Sequence, residues 1–347
     1  MYKVSPVETK ADQEAWDTYI GSKKTSNYSE RIAWRDVMVR TYGLEDRLLM
    51  AKRNGAVAGV MQLFINRSIL TGLHAVSGPL SSSGGGLYAE TPNTLAVLLQ
   101  HVEAFTKERG LDYLQLRLQS PVDAGDWLEV SDRYVTFIMD LEGGEERVWS
   151  EVFRAKTRNQ VRKAQSYKFS VRSGHEQIGP FVNVLHKGIK ELGSPSPGRK
   201  LFEVSSEIFR DKVDFIVVFD RETPIAGSVL FFHKEKVANP WAVTLKKYRP
   251  HSANSLLYWE IVRLACSRDM RYFDLGRSLR DSGTYHFKRR LGAEEKPLYY
   301  YYYLNRRKSI PIVDDTTKVK SLRRLIWSRL PDIITKTLGG RLIKQLI

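Results

Sequence analysis

The sequence predicts an α/β (α+β) protein built from two copies of one unit, each a mixed central sheet flanked by helices. Three observations predict it: a weak internal repeat, a length of 347 residues that suits two domains, and strand signals that alternate with helical stretches. In the first copy, GAVAGVMQLFINRS around Gly59 reads as a pair of strand signals. HAVSGP, a Ser/Gly loop (SSSGGG), the helical stretch TLAVLLQHVEAFTKERG and the strand LDYLQLRL follow. In the second copy, ETPIAGSVLFFHKEK around Gly227 leads to NPWAVTL, the loop KKYRPHSANS, the helical stretch LLYWEIVRLACSRD and the strand MRYFDLG. The order is the same, so Gly59 is matched to Gly227 and Tyr113 to Tyr272. Gly59 and Tyr113 are 54 residues apart and Gly227 and Tyr272 are 45 apart, a difference the Ser/Gly insert largely absorbs.

The expected division is a first domain over 1–144, a connecting helix over 145–168, a second domain over 169–305, and a basic amphipathic tail over 306–347. Residues 134–141 read as a strand that Gly143 and Gly144 break. Glu145 and Glu146 then sit at the favourable N-terminal end of a helix, with Val148, Trp149, Val152 and Phe153 as its apolar stripe. Strand 298–305 is expected to close the second unit. Its five consecutive tyrosines must face both sides, which suggests aromatic packing between the domains with hydroxyls reaching water. In the tail, eleven Lys/Arg face three Asp. Leu322, Leu325, Ile326, Leu330, Ile333, Ile334 and Leu338 fall there at helical spacing. They suit either helices packed back on the first domain or a basic amphipathic surface for anionic lipid or nucleic acid.

Composition excludes several classes. Apolar residues make up 42% and charged ones 27%, as in ordinary globular proteins. Cys266 is the single cysteine, so there is no internal disulfide and no CxxC pattern; its helical context marks it as a core residue. The seven histidines show no HxH or HExxH spacing, and GxSxG and Walker-type motifs are absent, so no metal is expected. No apolar run has signal-peptide or membrane-span length. The chain is therefore expected to be cytoplasmic, or peripheral at the inner membrane surface. The formal charge of +16 calls for a polyanionic partner: nucleic acid, sugar nucleotide or anionic lipid.

Two stretches could carry chemistry. In KTRNQVRKA (156–164), Arg158 and Arg162 stand four apart, as do Asn159 and Lys163. Like charges at that spacing repel on a helix. A solvated face tolerates this, whereas an anion held across the face turns the cost into a gain. The second stretch is RYFDLGRSLRDSGTYHFKRRLG (271–292). Arg277 and Ser278 follow a strand end, where open α/β sheets place ligands. Thr284, Tyr285, Phe287 and Lys288 lie on a short return. If the return is a strand, Tyr285 and Phe287 share one face and His286 and Lys288 the other. A lysine held beside an aromatic can supply charge to a developing oxyanion. The alternative is a surface hairpin of solvated basic residues.

These motifs resemble the FemAB/FemX family of peptidoglycan-bridge aminoacyltransferases. The chain looks closest to the short FemAB-like proteins associated with exosortase (PEP-CTERM) exopolysaccharide systems. The resemblance runs over most of residues 30–305. It is carried by WSEVFRAKTRNQVRKA, SLLYWEIVRLA, and FDLGRS with GTYHFKRRLGAE. It implies a tandem pair of GNAT domains, with Phe287 and Lys288 at the reaction centre in the F-K-x-x-x-G setting that ends at Gly292. It also implies that basic residues contact the phosphates of the acceptor, with Arg158 and Arg162 as the best-matching positions; Lys163, Arg277, Ser278 and Tyr285 are further expected substrate-binding residues. The implied reaction is attack by an amine on an ester carbonyl, with Lys288 stabilising the oxyanion. The donor would be aminoacyl-tRNA, the acceptor a cell-wall glycan or sugar-nucleotide precursor, no cofactor would stay bound, and the protein would be a monomer. The long helical hairpin some members carry is absent, and KKYRPHSANS lacks the glycines that cradle a pyrophosphate. Two further readings stand beside this one: an acyl-CoA-dependent N-acyltransferase acting on a polysaccharide sugar amine, with CoA at Gly84–Gly86, and a non-catalytic envelope-assembly scaffold held through 306–347.

Overall fold

The computed structural model describes residues 2–80, 83–311 and 318–347, the last group with side chains from residue 324 onward. In chain order its elements begin with β1 (Tyr2–Pro6), α1 (Lys10–Ser22), α2 (Ile32–Tyr42), β2 (Glu45–Arg53), β3 (Ala56–Ser68), β4 (Gly72–Val76), β5 (Leu87–Ala89), α3 (Pro92–Glu108) and β6 (Tyr113–Leu118). Then come β7 (Leu128–Asp140), α4 (Gly144–Arg147), α5 (Ala155–Ser166), β8 (Ser170–Ser173), α6 (Ile178–Glu191), α7 (Arg199–Phe209), β9 (Val213–Asp220), β10 (Thr223–His233) and β11 (Lys236–Thr244). The chain continues through α8 (Ala253–Ser267), β12 (Tyr272–Asp274), β13 (Ser278–Leu279), α9 (Gly283–Arg290), β14 (Glu294–Leu304), α10 (Lys318–Arg329) and α11 (Asp332–Lys344). Two compact units result. One is Met1–Tyr134 with Pro297–Val313 and Lys344–Ile347; the other is Val135–Lys296 with Asp314–Ile343. Both are mixed α/β, as the sequence predicts.

In the first unit the strand order is β1-β2-β3-β4-β6-β14, with β5 on β3. All neighbours are antiparallel except β4 and β6. Strand alternation sorts the apolar residues onto two faces. Leu48, Met50 and Val60 join Trp16 and Ile20 of α1. Leu49, Ala51, Met61 and Leu63 meet Leu98 and Val102 of α3. Thr9 and Asp12 form a capping box that starts α1, and Thr91 caps α3 ahead of Pro92.

The second unit repeats the plan, with order β12-β11-β10-β9-β8 and β7 beside β12. Its parallel pair is β11 and β12. Ile216, Val218 and Leu230 pack with Leu257 and Ile261 of α8. On the opposite face Phe215 meets Phe181 of α6 and Phe202 of α7. Tyr113 and Tyr272 each open the parallel strand that follows the helix, as the repeat predicts.

Three expectations need correction. Strand 298–305 does not close the second unit: Tyr299–Leu304 pairs with β6 of the first. The second is closed instead by β7, whose Ile138–Asp140 pairs with β12. Each unit thus ends its sheet on the strand that follows the other copy. The reason is a free edge: β6 is buried along its length and must be covered. The tyrosines pack inside the first unit. Tyr299, Tyr301 and Tyr303 face its core, Tyr300 stacks on Tyr134 at 4.8 Å, and the Tyr302 hydroxyl accepts from Gln115.

The connecting helix is also not continuous. After α4, Val148–Val152 forms a π turn closed by Phe153 N donating to Val148 O, and Arg154 is extended before α5 begins. Trp149 and Phe153 then reach Trp259 of α8, at 4.7 and 5.7 Å. Finally, Gly59 and Gly227 are not equivalents, because they face opposite helix layers. Gly59 lies under Thr94 and Leu98 of α3, and Gly227 under Phe181 and Val184 of α6. A one-residue offset in the hairpin suffices for this.

The tail forms two helices, which pack on α6 of the second unit rather than on the first. Asp332 pairs with Lys190, Thr335 bonds His186 at 3.0 Å, and the backbone at Arg324 covers Gly193. Within the first unit, residues 344–347 bond the β3–β4 hairpin through Asn66, Ser68 and His74. Leu322 lies outside the described side chains. No helix among the described residues is long and apolar enough to cross a membrane.

A Cβ on Gly59 would stand 2.6 Å from Thr94 Cγ2 and 2.8 Å from Tyr88 O. We expect Gly59→Ala to destabilise the protein by about 1–3 kcal/mol through overpacking. A lower denaturation midpoint at unchanged slope would show it, and an unmoved midpoint would mean that α3 yields freely.

Candidate active site

β12 ends at Asp274, and the chain turns through Leu275 and Gly276 into β13. Gly276 has φ +75°, and a Cβ there would come within 3.0 Å of Asn239 O on β11. Glycine is needed both for the left-handed turn and for the close approach. Asp274, almost fully buried, holds the turn from below. Its Oδ1 accepts from Gly276 N at 2.9 Å and from Thr136 Oγ1 at 2.5 Å.

The return after the turn is a helix, not a strand. Ser282 accepts from Tyr285 N and starts α9, whose last turn holds Lys288, Arg289 and Arg290 at the favourable end of the dipole. Tyr285 and Lys288, three apart, therefore share the buried face, in place of the alternation expected for a strand. Thr157 of α5 donates to Arg290 O. Gly292, at φ +91°, allows the chain past the π turn: a Cβ would stand 2.3 Å from Val152 O.

This framework buries the Lys288 amine. Its Nζ donates to Gly276 O at 2.7 Å and to Arg277 O at 3.3 Å. Burial pushes its pKa down to about 7; the charge of Asp274 opposes the shift and that of Arg277 adds to it. Phe287 meets Tyr258 edge-on at 5.1 Å and packs against the core. Burial also pushes the Tyr258 hydroxyl up, to about 12.

The other candidates divide. The Ser278 hydroxyl is buried beside this turn and makes no hydrogen bond among the described residues. The Asn239 side chain, also buried, meets the Tyr258 hydroxyl as a hydrogen-bond partner. Buried polar atoms are normally paired, so the Ser278 hydroxyl is a candidate ligand contact. Arg277 is half-buried, and its carbonyl is committed to Lys288. The Tyr285 hydroxyl donates to Glu295 at 2.7 Å, a bond that raises its pKa, and Glu295 also pairs with Arg280. Tyr285 thus anchors α9. Arg158 turns inward: its Nη1 donates to the carbonyls of Trp149, Ser150 and Phe153, groups that the π turn and its break leave open. Arg162 is exposed, lies over the Trp149 ring and bonds Asn159; Lys163 is exposed.

Sequence reasoning missed Asp274, Thr136, Asn239 and Tyr258. FDLG gave a signal for Asp274, a carboxylate at a strand end before glycine. The other three reach the turn from strands and a helix distant in sequence. In the first unit, Gly84–Gly86 is buried, with Gly85 N donating to Arg117 O and Gly86 N to Glu30 Oε1. A cleft between α3 and 123–128 in that unit is lined by none of the sequence candidates.

The family model described as acetyltransferase (GNAT) domain matches residues 152–289, from the π turn through Lys288. Among solved structures, FemX aligns with a TM-score of 0.66 over 87% of this chain and 98% of that one, at 12% identity. A tandem GNAT protein from the clavulanic acid biosynthesis pathway gives 0.57 over 89% and 100%, at 10% identity. L-PGS from Bacillus licheniformis gives 0.54 over 89% and 100%, at 12% identity. No curated protein sequence matches. The chain is thus a tandem protein of the GNAT acyltransferase fold.

The Lys288 shift has a signed consequence for stability. Below about pH 7 folded and unfolded chains both hold the proton, and the cost of burying it is fully felt. As pH rises from about 7 toward the ordinary lysine range, the unfolded chain binds a proton that the folded chain has shed, so folding gains. The stability difference between wild type and Lys288→Met should therefore move in favour of wild type between pH 7 and 10 in denaturant titrations. A difference independent of pH would place the amine in a polar environment.

Proposed function

We propose that the protein forms an amide by transferring an aminoacyl group from aminoacyl-tRNA to an amine on a cell-wall or exopolysaccharide precursor, as a FemAB-type acyltransferase. The observation that carries the chemistry is Lys288, a buried amine held by two backbone carbonyls at the end of β12. An ammonium has three protons. Two are held by Gly276 O and Arg277 O, and the third serves the oxyanion that forms when the acceptor amine attacks the ester carbonyl. The new C–N bond forms as the carbonyl π pair moves to oxygen. The pair then returns, the C–O bond to the tRNA ribose breaks, and the proton lost by the amine ends on the leaving hydroxyl. Asp274 helps keep Lys288 charged, while burial strengthens its action on a developing charge.

The aminoacyl donor, the short FemAB-like subfamily and the envelope acceptor rest on the FDLGRS and GTYHFKRRLG motifs and on the FemX-like fold. A basic chain of +16 suits a phosphate-bearing donor or acceptor. The acyl-CoA reading draws on the acetyltransferase description of the matched domain. Against it, Gly85 and Gly86 already use their amides. In the loop before α8, the amides of Tyr248, Arg249, His251 and Ser252 all donate to loop carbonyls. Arg158 belongs to the framework of the site in this reading, which leaves Arg162, Lys163 and Arg277 for acceptor phosphates.

Lys288→Ala is expected to lower the transfer rate about 10²-fold or more, as for loss of one oxyanion donor. With Lys288 acting as ammonium, wild-type activity should fall as pH rises through about 7. A rise through the same range would make the neutral amine a general base instead, and a rate change under about threefold would remove Lys288 from the chemistry. Transfer from labelled aminoacyl-tRNA, with acetyl-CoA as the competing donor, tests the donor itself.

Ser278→Ala should leave the melting temperature within the small range of substitutions that break no bond. It should raise KM for the acceptor more than it lowers kcat. An unchanged KM would return Ser278 to the framework.

A further inference from the structure

Residues 318–347 hold eight Lys/Arg and one acidic residue, Asp332, which is already paired with Lys190. On α11, Thr335, Gly339 and Ile343 are buried, spaced four apart. Ile334, Leu338 and Leu342 form a second stripe at the same spacing, and they are exposed. Ile333 is 76% exposed, and on α10 Leu325 and Ile326 are exposed beside Arg324 and Arg329. Lys336 and Arg341 stand exposed among the α11 aliphatics. Six large apolar side chains placed this way, with cations between them, are more than scattered surface residues explain.

We propose that the exposed faces of α10 and α11 dock on an anionic lipid bilayer. The aliphatic residues enter the boundary between headgroups and acyl chains, and the cations meet lipid phosphates. Both helices are too short to span a bilayer, which suits a surface-lying role. Nucleic acid would engage the cations but leave Ile and Leu in water. Protein interfaces centre on aromatic and Arg anchors, whereas this stripe is aliphatic. In the first unit the β3–β4 turn shows the same pairing: Ile69 is 93% exposed and Leu70 55%, next to exposed Arg67.

The test is co-sedimentation of the full chain with vesicles at about 0.15 M salt. One set is phosphatidylcholine alone, and the other contains roughly one-third phosphatidylglycerol. Binding to the anionic vesicles only is expected. Ile326→Lys/Ile333→Lys raises the charge while removing apolar area, so it separates the two contributions. Its affinity for anionic vesicles should fall about tenfold or more, with melting temperature unchanged because both positions are exposed. If that variant melts early, Leu338→Lys carries the same reading. Equal or tighter binding by the variant would make the attraction purely electrostatic and overturn the docking. Equal binding to both vesicle types would overturn the anionic part. Binding of a short RNA with no binding to either vesicle would turn the surface over to nucleic acid.

Discussion

The second unit is organised around a buried amine. Lys288 can stay in the interior because two carbonyls of the 276–277 turn accept from it and Asp274 lends it charge. Each partner needs its own support. The turn requires glycine at 276, Asp274 needs the amide of that glycine and the Thr136 hydroxyl, and α9 must hold Lys288 at the right height. Tyr285 with Glu295, Thr157 with Arg290 O, and Gly292 against Val152 O fix the helix at three points. Removing any one loosens the geometry around the amine.

The π turn belongs to the same device. It brings Trp149 and Phe153 onto Trp259 and leaves carbonyls that Arg158 covers. An arginine that reads in sequence as an anion ligand is thereby committed to the backbone. It still matters to the site, because Val152 in that turn is what Gly292 packs against. The contrast with Ser278 is instructive. Arg158 is satisfied and positions others, while the Ser278 hydroxyl is buried and unsatisfied, the state in which a polar group can reward a ligand.

The two copies share a plan but not their closing strands. β6 and β12 occupy equivalent places, each parallel to the third strand of its meander. Each takes its remaining neighbour from the strand after the other copy. Local sequence cannot specify this, because both closing segments are strands with two apolar faces. The run of tyrosines fits wherever one side is core and the other offers partners such as Gln115 and Tyr134.

Much was legible in the residues alone: the repeat, the two mixed sheets, the alternating core positions, and Lys288 with Ser278 near a strand end. These are local or periodic signals, and spacing along the chain carries them directly. For 284–288 the sequence reading carries a strand only as a condition, and the Ser282 cap and the basic last turn decide for helix. Sequence by itself determined which residues are apolar at period two or 3.6, and hence the fold class and the chemistry on offer at the loop. Tertiary structure alone decided which strand closes which sheet, which arginine faces inward, and that the lysine loses its water. Those outcomes depend on groups far apart in the chain meeting in space, and desolvation exists only once they have met.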